Sequence, residues 1–139
     1  MPLLALALVA LPGASPLAGL DVAVAGLRSA RGVVRVCVTA DARHFPGCQD
    51  DPAARRMTVP VADAATLRFG DLPSGDYAVA LFHDENDNGR IDTRFGIPAE
   101  GVGFSNNPRL LFGPPSFARA AVALTDRTAE QTVRLRYFL

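Results

Sequence analysis

The sequence has 139 residues, of which 49% are hydrophobic and 20% are charged, a composition typical of one globular domain. Fourteen basic residues, all of them arginine, balance fourteen acidic residues, and the net charge of zero excludes the broad basic surface of a nucleic-acid-binding protein. It gives no indication of a membrane-surface partner either. Two histidines and two cysteines are too few for a multi-ligand zinc site or an iron–sulfur cluster.

The chain opens with an apolar run at residues 3–11. This run is too short to span a bilayer, which takes about 20 residues, but it suits the apolar part of a signal peptide. Small residues follow it, although no basic residue precedes it and Pro12 and Pro16 interrupt the usual cleavage motifs. The alternative is a buried first strand. We predict an atypical signal peptide at residues 1–19, a single domain at 20–139 with no transmembrane span, and a periplasmic or secreted location.

Apolar residues alternate with a period of two along most of the remaining chain, which predicts β-strands. Seven short runs show this alternation, at residues 20–24, 34–38, 57–61, 67–69, 77–81, 120–124 and 133–137. Pro60 indicates that the third is an edge strand. Glycine and proline separate the runs, and one short helical turn is predicted at 51–56. The pattern predicts an all-β fold, a seven-stranded Ig-like or transthyretin-like β-sandwich.

Cys37 and Cys48 are the two cysteines of the sequence. Their spacing is too long for a redox C-x-x-C motif. An even number of cysteines in a short exported chain favours a disulfide, which would here close a loop of about 12 residues. The alternative is a pair of free thiols, with Cys37 packed on its strand.

A long segment at 84–115 is rich in glycine, asparagine, aspartate and proline and contains no long strand pattern. Loops of this length inside a compact domain usually carry function or are disordered. The apolar residues in the segment argue against disorder, and we predict a cap loop packed on the sandwich. A functional site, if the protein has one, is expected here.

The segment begins with an acidic loop at 84–92 that matches the first half of a calcium-binding EF-hand loop. Side-chain oxygens at alternate positions, a glycine at the sixth position and a backbone carbonyl after it would surround one cation. Position twelve is Phe95 instead of the usual bidentate glutamate, which predicts weak affinity. The alternative is a plain hairpin turn at Asn88-Gly89. The predicted Ca²⁺ ligands are Asp84, Asn86, Asn88, the carbonyl of Arg90, Asp92 and Glu100, with Asp87 or water as the alternatives to Glu100.

The stretch at residues 69–79, FGDLPSGDYAV, resembles a turn of transthyretin-like and carboxypeptidase-regulatory-like sandwich modules. Together with residues 83–92 and 96–107, it resembles an exported bacterial family known as domain of unknown function 2141. The resemblance covers nearly all of the chain after residue 19. It implies an exported β-sandwich and no established activity. Asp87 departs from the small residue expected at its position.

Three functions follow from these patterns. The first, which we favour, is a non-catalytic binding module whose calcium-ordered cap presents residues to a protein or glycan. The second is a hydrolase that uses the carboxylates of Asp84 and Glu100. The third is a structural domain without a bound ion. Neither histidine lies in a nucleophile–base context, and no catalytic residue is assigned. The residues that the cap is predicted to present are Phe104, Ser105, Asn106 and Asn107.

Overall fold

The computed structural model describes residues 16–139, and most of the predicted signal peptide lies outside that range. The regular secondary structure of the described chain is almost entirely β, with a single short helix, α1 (Phe117–Ala120), and two 3₁₀ turns. No helix in this range is long and apolar enough to cross a membrane. The strands are β1 (Leu17–Ala25), β2 (Val33–Thr39), β3 (Arg55–Pro60), β4 (Thr66–Pro73), β5 (Gly75–Asp84), β6 (Thr93–Arg94), β7 (Ile97–Pro98), β8 (Gly101–Phe104), β9 (Ala121–Leu124) and β10 (Thr128–Arg134).

Two larger sheets share one apolar core. The first has the order β10-β1-β4, with β1 and β10 parallel, and the second has the order β3-β2-β5-β8, with β9 also paired to β5. Alternate residues of both sheets enter the same buried cluster, as period-two side-chain alternation requires. The core includes Leu20, Val22, Val36, Val79, Leu81 and Val133. This arrangement confirms the predicted all-β class.

Each of the seven predicted runs overlaps a strand, and β3 is an edge strand, as Pro60 indicated. The last run is displaced, because β10 ends at Arg134. The helical turn predicted at 51–56 is wrong: a side-chain-capped turn stands there and β3 follows it directly. The structure also adds the short strands β6, β7 and β8.

Cys37 on β2 and Cys48 are both buried, and their sulfurs lie at bonding distance, with the two Cα atoms 6.2 Å apart. This pairing confirms the predicted disulfide. It ties the connection after β2 back to the strand, next to the start of β3.

The cap predicted at 84–115 is packed only in part. Val102 and Phe104 are buried, and Leu110 packs on their cluster at the outer face of β5 and β8. In contrast, Phe95 and Phe112 are fully exposed. The expectation that the apolar residues of this segment all need burial is therefore wrong for these two phenylalanines and also for Leu111, Ile91 and Ile97, which are exposed to a lesser degree.

Candidate functional site

Asp84 is the last residue of β5, and its buried carboxylate organises the turn that follows. Its Oδ1 accepts a hydrogen bond from the N–H of Asn88 at 3.2 Å, and its Oδ2 accepts one from the N–H of Gly89 at 2.9 Å. Gly89 has a positive φ of 80°, which glycine adopts without strain. Asp84 and Gly89, the first and sixth positions of the motif, thus stabilise the tight turn that the motif predicted.

Arg35 on β2 supplies a positive charge to this turn. Its Nε lies 2.7 Å from Oδ2 of Asp84, and its Nη2 lies 2.7 Å from Oδ1 of Asp87. Burial of Asp84 by itself would raise the pKa of the carboxyl group. The hydrogen bonds from Arg35 and from the two backbone N–H groups outweigh burial, and the pKa is lowered.

Asp92 is the common acceptor of the two asparagine side chains. Asn86 donates from Nδ2 to its Oδ2 at 2.7 Å, and Asn88 donates from Nδ2 to its Oδ1 at 2.8 Å. The bond from Asn88, followed by the bond from Asn86, lowers the pKa of Asp92. The Asp92 carboxylate therefore stays ionised between the two amides.

Glu100 precedes β8 and ties the two ends of the loop together from behind. Its buried carboxylate accepts the N–H of Asp92 at 3.0 Å on Oε1 and the N–H of Glu85 at 2.7 Å on Oε2. Burial raises the pKa of Glu100 even though these two bonds lower it, and the negative charge of Asp84 raises it further. The carboxyl groups of Asp84 and Glu100 thus both lie buried on the inner side of the loop.

The structure brings together most of the predicted ligands. Asn86, Asn88, Asp92 and Glu100 are linked by direct hydrogen bonds, and Asp84 joins them through the backbone of the turn. Within residues 16–139, no group of three histidine, cysteine, aspartate or glutamate side chains is arranged to hold a metal ion. Calcium binding stays a prediction.

A second polar cluster, which no sequence pattern predicted, lies beside the loop. The Glu85 carboxylate accepts hydrogen bonds from Arg28 Nε at 2.8 Å, Ser29 Oγ at 2.9 Å and Arg31 Nη2 at 3.3 Å. Burial would raise the pKa of Glu85, but these three donors lower it to about 2. Three hydrogen-bonding residues within four positions, at 28–31, are a signal in the sequence, but their target is far away along the chain.

His83 is fully buried under the same cluster. One ring nitrogen lies 2.9 Å from the Tyr137 hydroxyl and the other lies 2.7 Å from the carbonyl of Arg31. The guanidinium of Arg28 lies 4.5 Å above the Tyr137 ring. The residues after β10 are thereby fixed against the base of the loop.

Two of the four residues predicted to face a partner are interior residues. Phe104 packs edge to face on Phe45, with the ring centroids 5.9 Å apart. The Ser105 hydroxyl is buried, accepts the N–H of Val79 at 2.9 Å and donates to the carbonyl of Ala120. These side chains stabilise the outer face of the second sheet and are not presented to solvent.

The other two, Asn106 and Asn107, are exposed but fully engaged. Asn106 donates from Nδ2 to the carbonyl of Ala121 at 2.9 Å. Asn107 bonds the free edge of β10, donating to the carbonyl of Thr132 at 2.7 Å and accepting the N–H of Arg134 at 2.8 Å. Their contact with a partner stays a prediction, and the structure assigns them a role in joining strands.

These features define a β domain with two larger sheets, a small β6–β7 hairpin and a polar loop built around buried carboxylates. The chain belongs to the family described as "Uncharacterized protein conserved in bacteria (DUF2141)", whose model matches residues 22–132. The match runs from β1 into β10 and includes the whole loop, and it confirms the resemblance to the family known as domain of unknown function 2141. No curated protein and no solved structure matched the chain.

Proposed function

We propose that this chain is a non-catalytic binding module of the transthyretin-like sandwich type, exported to the periplasm or secreted, whose loop at 84–92 binds Ca²⁺ weakly. The observation that carries the proposal is the convergence of Asn86 and Asn88 on the carboxylate of Asp92, with Glu100 bonded to the same residue. The partner class is a protein or a glycan.

The chemistry of these donors suits a hard cation. Carboxylate, amide and backbone carbonyl oxygens are the ligands that Ca²⁺ takes. Rotation of an asparagine amide by half a turn replaces its N–H donor with an oxygen, so the amides of Asn86 and Asn88 can serve either Asp92 or a cation. Oδ1 of Asp84 accepts only one long hydrogen bond and retains capacity.

Weak affinity is proposed for two reasons. Phe95 stands where an EF-hand carries a bidentate glutamate, and Arg35 already shares the carboxylate of Asp84. Such a site belongs in the range of about 10⁻⁴–10⁻³ M found for extracellular modules.

The burial of the carboxylates supports binding over hydrolysis. Asp84 is 0% exposed and Glu100 is 4% exposed. Both accept backbone N–H groups, and these bonds hold the loop in shape. A hydrolytic pair needs carboxylates that reach a substrate.

The ion pairs of Arg35 favour a second candidate function, a structural domain without a bound ion. Its guanidinium lies 2.7 Å from carboxylate oxygens of both Asp84 and Asp87 and can neutralise the turn from within the chain. In that case the loop needs no cation for its order.

Calcium titration distinguishes the two candidates. At ten times the dissociation constant, linkage predicts a gain of about 1.4 kcal/mol in the free energy of unfolding, or roughly 4–6 °C in Tm. Asp92→Asn should abolish this gain, while Asp63→Asn, an exposed acid of another turn, should retain it. Absence of a Tm shift and of calorimetric heat at 10 mM Ca²⁺ would contradict the calcium proposal and favour the structural domain.

A further inference from the structure

The tip of the hairpin formed by β6 and β7 carries an aromatic side chain in an unfavourable conformation. Phe95 has a φ of 52° and the following Gly96 has a φ of 75°. Two consecutive positive φ values are those of a type I′ turn, which favours asparagine, aspartate and glycine. The Phe95 side chain is fully exposed, so it costs conformational free energy and gains no burial within this chain.

Hydrogen bonds hold the residues on either side of the β6–β7 hairpin. The N–H of Ala99 donates to the carbonyl of Asp92 at 2.8 Å, and the N–H of Asp92 donates to Glu100 at 3.0 Å. The Asp92 carboxylate is held in turn by the two asparagine amides. These hydrogen bonds order the residues that flank the hairpin. The tip therefore projects from an ordered part of the loop, and the Phe95 side chain is exposed without a partner being bound.

The charge around the tip is positive, although the chain as a whole is neutral. Arg90 and Arg94 are exposed and form no salt bridge within residues 16–139. Of the other acids of the loop, Asp84 and Asp87 contact Arg35, Glu85 contacts two other arginines, and Glu100 is buried. Asp92 is half-buried between the two arginines and accepts only amide hydrogen bonds from side chains of the described residues, so residues 90–97 carry two positive charges and one negative charge. Half-exposed isoleucines, Ile91 and Ile97, complete the tip.

We propose that this tip docks on the surface of an anionic phospholipid bilayer, with Phe95 inserted at the headgroup boundary and Arg90 and Arg94 paired with lipid phosphates. Arginine matches phosphate oxygens with two parallel hydrogen bonds. One phenylalanine beside two isoleucines suits shallow insertion of about 5–10 Å. A stable protein interface buries more than about 1,000 Å², which a turn with two-residue strands does not offer.

The test is co-sedimentation of the full chain with vesicles in EDTA, which makes it independent of the calcium proposal. Vesicles with 30% phosphatidylglycerol should bind the protein, and pure phosphatidylcholine vesicles should not. We expect Phe95→Asn to lower the partition coefficient about tenfold or more. Arg94→Gln should lower it about fivefold. Asparagine suits the turn conformation at position 95, so this variant keeps its fold.

Two matched variants serve as controls. Phe112→Ser removes an equally exposed phenylalanine outside the hairpin, and Arg68→Gln removes an exposed arginine on β4. Both should bind like the wild type. Equal binding of Phe95→Asn and the wild type would overturn the proposal, as would an equal loss in Phe112→Ser. A dimer in sedimentation equilibrium that Phe95→Asn dissociates would overturn it in favour of a second copy of the chain.

Discussion

Glu85 shows at the scale of one residue how the loop is held without help from the hydrophobic core. Its side chain is 9% exposed and accepts hydrogen bonds from three residues at 28–31, so it must be ionised for the cluster to form. The carboxylate joins the loop to the segment between β1 and β2. This bond network makes part of the acid stability of the domain depend on the Glu85 side chain.

Part of the pH dependence of stability follows from the pKa of Glu85, which is about 2 in the folded chain against an ordinary value of 4.5. A lowered pKa contributes stability that is complete above about pH 4.5 and is lost as the pH falls through 2. In that window, the free energy of unfolding of the wild type should fall more steeply than that of Glu85→Gln. Urea unfolding at several pH values measures both slopes.

Glu130→Gln is the control for this prediction, since it removes an exposed carboxylate on β10. Its pH profile should follow that of the wild type. Parallel profiles for Glu85→Gln and the wild type would contradict the role assigned to Glu85.

At this scale, contacts between residues close in sequence could be predicted from the sequence, and contacts between residues far apart in sequence could not. The turn from Asp84 to Gly89 follows from side-chain spacing within six residues. Arg35, in contrast, reaches Asp84 because β2 and β5 are neighbouring strands, and no local pattern reports that neighbour. The same reason explains why Ser105 and Asn107 were predicted to be binding residues: their partners lie on β5, α1 and β10 and meet them only in the folded chain.

At the scale of elements, Asn107 covers the open side of β10. The strand pairs with β1 on one side, and on the other side the Asn107 amide takes the place of a neighbouring strand by bonding one carbonyl and one N–H. Its φ of 46° is one that asparagine tolerates better than most residues. Asparagine thus both tolerates the positive φ at position 107 and supplies hydrogen bonds to the exposed edge of β10.

Two substitutions separate these contributions. Asn107→Gly keeps the backbone conformation and loses the two amide bonds, which should cost about 1–2 kcal/mol in the free energy of unfolding. Asn107→Ala loses the same bonds and adds strain, for a further 1 kcal/mol or so. Urea unfolding of the three proteins tests the order. A glycine variant as stable as the wild type would show that the edge bonds contribute nothing.

The long strands could be predicted because burial on one face imposes a period of two on the sequence. β6 and β7 have two residues each, too few for a period to be visible, and all four residues of β8 are buried, so no alternation marks it. The turn at 51–56 resembled a helix start because Asp51 does cap it, through the N–H of Ala53. The chain then enters β3, where pairing with β2 decides the conformation.

At the scale of the whole molecule, the Cys37–Cys48 bond constrains the unfolded chain. The two residues are 11 positions apart, and closing a loop of that length stabilises the folded state by about 2–3 kcal/mol in the chain-entropy model. Reductant should therefore lower the urea midpoint of the wild type, by an amount that corresponds to about 2–3 kcal/mol in the free energy of unfolding. The urea midpoint of the Cys37→Ala/Cys48→Ala double variant should not change with reductant. An unchanged wild-type midpoint under full reduction would contradict this expectation.

The parallel pairing of β1 with β10 has a consequence for folding kinetics. Gly19 lies opposite Thr128, and β1 stands in the middle of its sheet between β10 and β4. That sheet stays incomplete until the most distant parts of the described chain have met, and closing so large a loop is slow. An intermediate that has already formed β4 next to β1 exposes a bare strand edge, which is the kind of surface that chaperones shield from aggregation.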